Sequence, residues 1–494
     1  MTKFQSQFRT ARRAGTPIVV VRSADTVSSV QSIILALNGK QETIPLMQWD
    51  VMRGLSGVNE LGKDVAATAL NGQAPEMVSG RPTDCLGLAQ TLPADCILFA
   101  HNLQLFWQDA PVIQAVLNLR DRFKGNGSML VALAVSGSTL PAELTEHSLV
   151  LDEALPSAEE LGAIVAETFK AAELPAPSET ASAQAVDAVT GLSAFAAESS
   201  LSLSISREGF DLAECWSRKR KMIEQTPGLQ VWSGKETFSD LGGLDQFKKY
   251  VTAIFQGNDA PKCAVFMDEI EKAVAQDAGN STKTELIGIL LSWFQDREAD
   301  GLILLGVPGA GKSQAVKAVA NEFAVPVISA NVAAMQDQFV GNSNKNLRKA
   351  LATIDAMSNG KPCVFATCNR LDSLSPELRR RFTLGTFFFD LPTLEEREKI
   401  WAIYAQKYCV DTAGGRPDDN GWTGAEIKEC CKKAYRLNLT LAESAKYIVP
   451  VSKSSAETIK ALRLQASGKF LSATDAGIYR YEEQAIATGR KIRE

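Results

Sequence analysis

The chain has 494 residues, 45% of them apolar, with a formal net charge of −5, which is enough for about two or three domains with full cores. The acidic balance gives no general electrostatic reason to hold nucleic acid and leaves only a local basic surface or pore for that task. No run of about eighteen apolar residues suggests a membrane span, and Met1–Arg9 lacks an apolar signal core, so a cytoplasmic protein without membrane insertion is expected.

From the start of the chain, 15–21 reads as a buried strand and 25–37 as a helix, followed by a strand at 96–100, an amphipathic helix at 110–122, and strands at 128–135 and 148–151. This alternation argues a layered α/β domain with a largely parallel sheet. The domain has no glycine loop with a lysine, and its strand at 96–100 runs into His101 where acids would be needed, so no independent catalytic site is expected there. Composition shifts to Pro, Ser, Ala and Glu from Ala171 to about Asp187, which reads as a linker. The stretch from Gly191 to about Gln225 reads as helical and carries Arg218-Lys219-Arg220-Lys221, taken as a solvated helix face rather than a nucleic-acid site. Nine scattered cysteines without ligand spacing and only two histidines, His101 and His147, argue buried thiols rather than a zinc site.

Cys263-Ala264-Val265-Phe266-Met267 reads as a strand that delivers Asp268 and Glu269 at its C-terminal end. An ordinary strand followed by an acidic helix cap is the plainer alternative. Next, 301–305 reads as a buried strand, 306–313 as Gly-Val-Pro-Gly-Ala-Gly-Lys-Ser, and 314–321 as a helix. That strand, glycine-cornered loop and helix form a phosphate cradle: backbone N–H groups face the phosphates, Lys312 reaches the β/γ positions, and the Ser313 hydroxyl meets Mg²⁺. Hydrolysis further needs an acid on the metal and a group on the attacking water. Asp268 and Glu269 supply them, although they lie upstream of the loop. Downstream, Ile354-Asp355-Ala356 falls inside a helical pattern from about Asn344 to Met357 and does not qualify.

Together these pieces resemble a rearranged AAA+ ATPase module. Phe238-Ser239-Asp240-Leu241-Gly242-Gly243-Leu244 is similar to the stretch that opens such modules and lines the adenine pocket. Asp268-Glu269 resembles Walker B, Gly306–Ser313 is Walker A, and Ala366-Thr367-Cys368-Asn369-Arg370 resembles the sensor 1 strand end. Leu378-Arg379-Arg380-Arg381-Phe382 resembles the arginine-finger region, and Gly424-Ala425-Glu426-Ile427 the start of the lid helix. The resemblance implies ATP and Mg²⁺ as ligands. Gly306, Pro308, Gly309, Ala310, Gly311, Lys312, Ser313 and Gln314 would hold the nucleotide with Gly242, Gly424 and Ala425; Ser313 and Asp268 would share the metal. Glu269 would polarise water, Asn369 would place or sense it, and Lys312 would bind phosphate. Arg381, or else Arg379, would reach the next subunit's nucleotide. The Arg-Arg-Arg-Phe form lacks the family's usual glycine, so assignment among Arg379, Arg380 and Arg381 stays open, with a surface basic turn as the alternative.

The implied fold is an α/β P-loop AAA+ module with circularly permuted strand order and a helical lid, preceded by a degenerate AAA-like α/β domain. The strand–helix unit at about 262–295 has moved to the front, with Asp300–Gly301 as the rerouted connection. The boundaries read as 1–170 for the degenerate domain, 171–235 for a linker and helical segment, 236–390 for the nucleotide-binding subdomain, 391–445 for the lid and 446–494 for a tail that docks on a neighbour. The layout is similar to the AAA proteins of cyanobacteria and chloroplasts that carry a degenerate ATPase-like N-terminal half; Arg120-Asp121-Arg122-Phe123, Leu140-Pro141-Ala142-Glu143-Leu144 and Leu155-Pro156-Ser157-Ala158-Glu159-Glu160-Leu161 carry that likeness. The displaced acids and the end from Tyr447 through Tyr481 depart from it and mark a divergent branch, read as a phage one. The implied activity is ATP-driven remodelling of a protein or other macromolecule in a hexameric ring or spiral. Phe339 and Val340 resemble a pore loop, against simple packing of Phe339 on the following helix, and a second pore loop falls at 278–281. A nucleotide-gated scaffold or adaptor and a DNA-metabolism motor are the rival readings.

Overall fold

The computed structural model describes residues 2–37, 39, 42–206, 209–274, 281–332, 342–358, 360–370, 374–412 and 415–481. The chain divides into two compact units, Met1–Lys219 and Arg220–Glu494. In the first, β1 (Ile18–Ser23), β2 (Leu46–Asp50), β3 (Gly54–Gly57), β4 (Ile97–His101), β5 (Met129–Val135) and β6 (Leu149–Asp152) form one sheet in the order β3-β2-β4-β5-β1-β6. Only β3 runs antiparallel to its neighbour. β1, β4 and β5 are apolar almost throughout because both faces of the sheet are covered, and a separate core lies on each face.

After β1 the chain does not open into a glycine loop. It turns at once into the helix Thr26–Ala36, whose N-cap Asp25 accepts hydrogen bonds from the N–H groups of Val27 at 3.1 Å and Ser28 at 3.2 Å. The chain's own carboxylate therefore occupies the place where a helix N-terminus would receive a phosphate.

Composition misled at the segment after this sheet. The stretch from Ala171 to Asp187, expected as a linker, contains the helix Glu179–Val189, capped by the Ser178 hydroxyl and burying Ala185, Ala188 and Val189. Small apolar residues on one face suffice for packing there. Lys219, expected on a solvated face, is 2% exposed; its ammonium donates to the Asp187 carbonyl at 2.8 Å and sits over the Trp216 ring. A lysine can bury its stem and charge where a carbonyl and an aromatic face receive it. The expected helical stretch is also broken by a short hairpin of β7 (Ile205–Ser206) and β8 (Gly209–Phe210).

The second unit contains β9 (Leu229–Val231), β10 (Cys263–Met267), β11 (Asp300–Gly306), β12 (Val327–Ala330), β13 (Pro362–Cys368), β14 (Gly385–Phe389) and β15 (Leu471–Ser472), ordered β15-β14-β11-β13-β10-β12-β9. β9, which lies within the expected linker segment, is an antiparallel edge strand here. Read from the opposite edge, the sheet matches the first one place for place: β9 with β3, β12 with β2, β10 with β4, β13 with β5, β11 with β1 and β14 with β6. In the first unit the strand that corresponds to β10 comes after the β2 position in the chain; in the second it comes before β11 and β12. The two units thus differ in chain order and share sheet order.

The reroute lies two residues earlier than expected, at Glu298–Ala299. The helix Ser281–Arg297 ends, Glu298 turns with φ 47°, and Asp300 and Gly301 already belong to β11. The described part of the tail packs on its own unit: Ile459 and Leu462 of the helix Ala456–Ala466 are buried, Leu464 is exposed, and β15 pairs in parallel with β14. Phe339 and Val340, and positions 278–280 of the second proposed pore loop, lie outside the described residues.

Candidate nucleotide site

β11 ends at Gly306, where a Cβ would fall 2.1 Å from the Phe389 carbonyl oxygen, so the loop leaves the sheet where only glycine fits. Gly309 turns with φ 82° beneath Thr423 and Ala425 of the lid, and the Ala425 N–H donates to the Gly309 carbonyl at 3.3 Å. Gly311 caps the helix Lys312–Glu322, which points its N-terminus into the loop. Lys312 is 7% exposed and donates to the carbonyls of Gly306 at 2.8 Å and Val307 at 3.1 Å, and to Asn369 Oδ1 at 3.0 Å. Burial pushes its ammonium down to about 8, against the pull of the carboxylates of Glu271, Asp268 and Glu269.

β13 pairs in parallel with β10, Met267 opposite Ala366, and on its other side with β11. This register brings together three strand ends that are distant in the chain. The Ser313 hydroxyl donates to Asp268 Oδ1 at 3.0 Å, and Asn369 Nδ2 donates to Glu269 Oε1 at 3.4 Å. Glu269 also pairs with Lys272. Asp268 is thereby in direct contact with Ser313 at the end of the loop, while Glu269 meets Asn369 at the neighbouring strand end.

Around these groups lies a cleft of about 360 Å³, within the range of small-molecule sites. Its lining includes Gly242, Pro308, Ala310, Gln314, Gly424 and Ala425. Motif reading passed over several of its members. Tyr404 of the lid lines the cleft and donates to Gln314 Oε1 at 3.2 Å. Thr474 enters from the tail and donates to Glu396 Oε1 at 2.9 Å, and Lys428 lines the cleft from the lid helix Gly424–Leu437. The tail was remote in sequence and carried no motif; the helical spacing of Tyr404 and of Lys428 was the only available signal. Neither Arg379 nor Arg381 lines the cleft. Arg381 donates to Gln295 Oε1 at 3.0 Å, and Arg379 carries a buried Nε without a hydrogen-bond partner.

The donor set fits Mg²⁺. One carboxylate and one hydroxyl meet at Asp268 and Ser313, and no cluster of three or more His, Cys, Asp or Glu ligands occurs among the described residues. Mg²⁺ is ordinarily held in this manner, by one or two protein oxygens plus phosphates and water.

A profile of the ATPase family associated with various cellular activities matches residues 302–366, across the loop strand and most of β13. The chain carries an AAA+ ATPase domain. A second profile, the N-terminal domain of SpoVK-like AAA ATPases, matches residues 4–153. Among relatives, the AAA domain-containing protein ycf46 of Guillardia theta is 23% identical over 441 residues, spanning 76% of this chain and 80% of the relative. The ycf46 protein of Gracilaria tenuistipitata var. liui is 25% identical over 363 residues, covering 64% and 67%. The human ATPase family gene 2 protein homolog B is 25% identical over 240 residues, covering 37% and 31%. The AAA+ domain is that of an ATP-hydrolysing enzyme, related to the ycf46-like AAA proteins of chloroplasts and cyanobacteria. Among the described residues no helix is long and apolar enough to cross a membrane.

Proposed function

We propose that this chain is a Mg²⁺-dependent AAA+ ATPase that remodels a protein substrate as an oligomeric ring or spiral, with its site at the junction of β10, β11 and β13. The observation that carries this reading is the contact of the Ser313 hydroxyl with Asp268 across a permuted chain. A site assembled despite the rearrangement points to an arrangement held for its chemistry. Lys312 and the loop N–H groups bind the phosphates, and Ser313 and Asp268 hold the metal. The metal, when bound, neutralises charge that builds up on the phosphoryl oxygens. Glu269 takes a proton from the attacking water, and Asn369, fixed between Lys312 and Glu269, keeps that carboxylate aimed at the phosphate end of the cleft. Arg381 or Arg379 supplies a guanidinium to the neighbouring copy's site, in keeping with their position away from their own cleft.

The test is phosphate release and ATP binding by the purified chain. Glu269→Gln is expected to bind ATP normally and to lose turnover by about 100-fold or more, whereas Lys312→Ala loses both. Normal turnover by Glu269→Gln would sink the assignment. A second reading, a nucleotide-gated scaffold, is favoured by the first unit, where Asp25 closes the anion seat and leaves an AAA-like body free for other contacts. The same variant separates the two: a scaffold works with ATP held and unhydrolysed, whereas a motor with Glu269→Gln is inert.

A further inference from the structure

Thr367 stands in β13, two residues before Asn369, inside the stretch that resembles a sensor 1 strand end, where only Asn369 is given a task. The pairing of β10 with β13 runs as far as Met267 opposite Ala366, so the next residue on each strand, Asp268 and Thr367, come level where β10 leaves the sheet. They are 99 positions apart in the chain. Thr367 is 1% exposed, and its hydroxyl makes two bonds, both to the acid pair. It donates to Asp268 Oδ1 at 2.5 Å and accepts from the backbone N–H of Glu269 at 2.8 Å. Glu269 itself sits at φ 49°, a left-handed conformation that a residue with a side chain keeps only when its surroundings hold it there. That turn carries the Glu269 carboxylate toward Asn369. The oxygen of Asp268 that takes the Thr367 hydroxyl also takes the Ser313 hydroxyl.

We propose that Thr367 is a positioning residue of the ATPase site, its one hydroxyl bridging the carboxylate of Asp268 and the backbone of Glu269 so that metal holder and water activator are set by a single group. The inference rests on the roles given above to Asp268 and Glu269. A buried hydroxyl that donates on one side and accepts on the other locks both partners, because turning it to suit one breaks the bond to the other. Its β-branched carbon stiffens that choice further.

Thr367→Val keeps the shape and removes the hydroxyl; Thr367→Ser keeps the hydroxyl. The measurements are kcat and KM for ATP, the Mg²⁺ concentration for half-maximal turnover, ATP binding in EDTA by calorimetry, and the thermal midpoint. For Thr367→Val a kcat loss of about 10–100-fold is expected, as for other groups that orient metal ligands, together with a raised Mg²⁺ requirement. Metal-free ATP binding and the thermal midpoint should stay near those of the parent protein, and Thr367→Ser should restore most of kcat. Wild-type kcat and Mg²⁺ dependence in Thr367→Val overturn the inference, as does equal loss in both variants, which would assign the effect to packing. If Thr367→Val does not fold, Thr367→Ser decides alone: retained turnover supports the bridge and a loss beyond about ten-fold overturns it. The site reading fails separately, through Glu269→Gln turning over at the normal rate, whatever Thr367 does.

Discussion

At the scale of single residues, the two units show what a helix N-terminus does with its unpaired N–H groups. In the second unit Gly311 leaves them facing an open loop; in the first, Asp25 fills them from within the chain. Asp25→Ala is accordingly expected to lower stability by about 1 kcal/mol, the worth of an N-cap, with ATP turnover unchanged, as read by urea unfolding followed beside phosphate release. The residues that a motif can name stand out in the sequence: Lys312, Ser313, Asp268 and Asn369 declare themselves by type and neighbours, and the geometry pairs Lys312 with Asn369 and Ser313 with Asp268. Thr367 and Tyr404 were not legible in the same way. The role of Thr367 depends on which residue of another strand comes level with it, and one sequence does not print register. Lys219 failed for the opposite reason, since a basic run says nothing about which member finds a carbonyl to cover it.

At the scale of elements, the acid strand was recognisable by content and its place in the sheet followed from the chemistry it had to serve. The tail was not recognisable, because a two-residue strand has no period to read. Its attachment is polar as well as apolar. Tyr479 donates to Asp390 Oδ2 at 2.6 Å, Arg463 pairs with Asp390 at 2.8 Å, and the Ala473 carbonyl receives the N–H groups of Gln246 and Phe247. Asp390→Ala leaves a half-buried guanidinium without its carboxylate, so a loss of about 2 kcal/mol is expected by thermal unfolding, together with weaker ATP binding, because Thr474 follows the same strap into the cleft. The permutation has its own test. β10 and β11 are separated only by β13, a gap of about 10 Å at ordinary strand spacing. A rearranged chain, with residues 260–298 moved to follow Gly360 and short glycine–serine joins, is therefore expected to fold and to hydrolyse ATP within a few-fold of the parent. An unfolded or inactive product would show that the chain order itself is required.

At the scale of the whole molecule, Arg379 and Arg381 lie outside the lining of their own cleft, in keeping with the proposed trans role. If copies complete one another's sites, Arg381→Ala mixed with Lys312→Ala recovers hydrolysis, because some interfaces pair an intact loop with an intact finger. No recovery at any ratio, with assembly verified by light scattering, would remove the trans reading. The shared sheet order of the two units also bears on how the protein is made. Chains emerge from the ribosome N-terminus first, and the first unit presents its strands so that β4 arrives when β2 is already waiting beside its place. In the second unit β10 emerges ahead of every strand that will flank it in the sheet except the distant edge strand β9. Its run Cys263-Ala264-Val265-Phe266-Met267 is uncharged and fully buried in the finished sheet, and both its edges stay open until β12 and β13 have been synthesised. Such a segment, kept waiting, is the kind that pairs with the wrong strand or with another nascent chain. The rearrangement gives the acid strand the same wait that β1 has in the first unit, whose neighbours β5 and β6 also come later in the chain, and it is during synthesis that a holding chaperone would have most to protect.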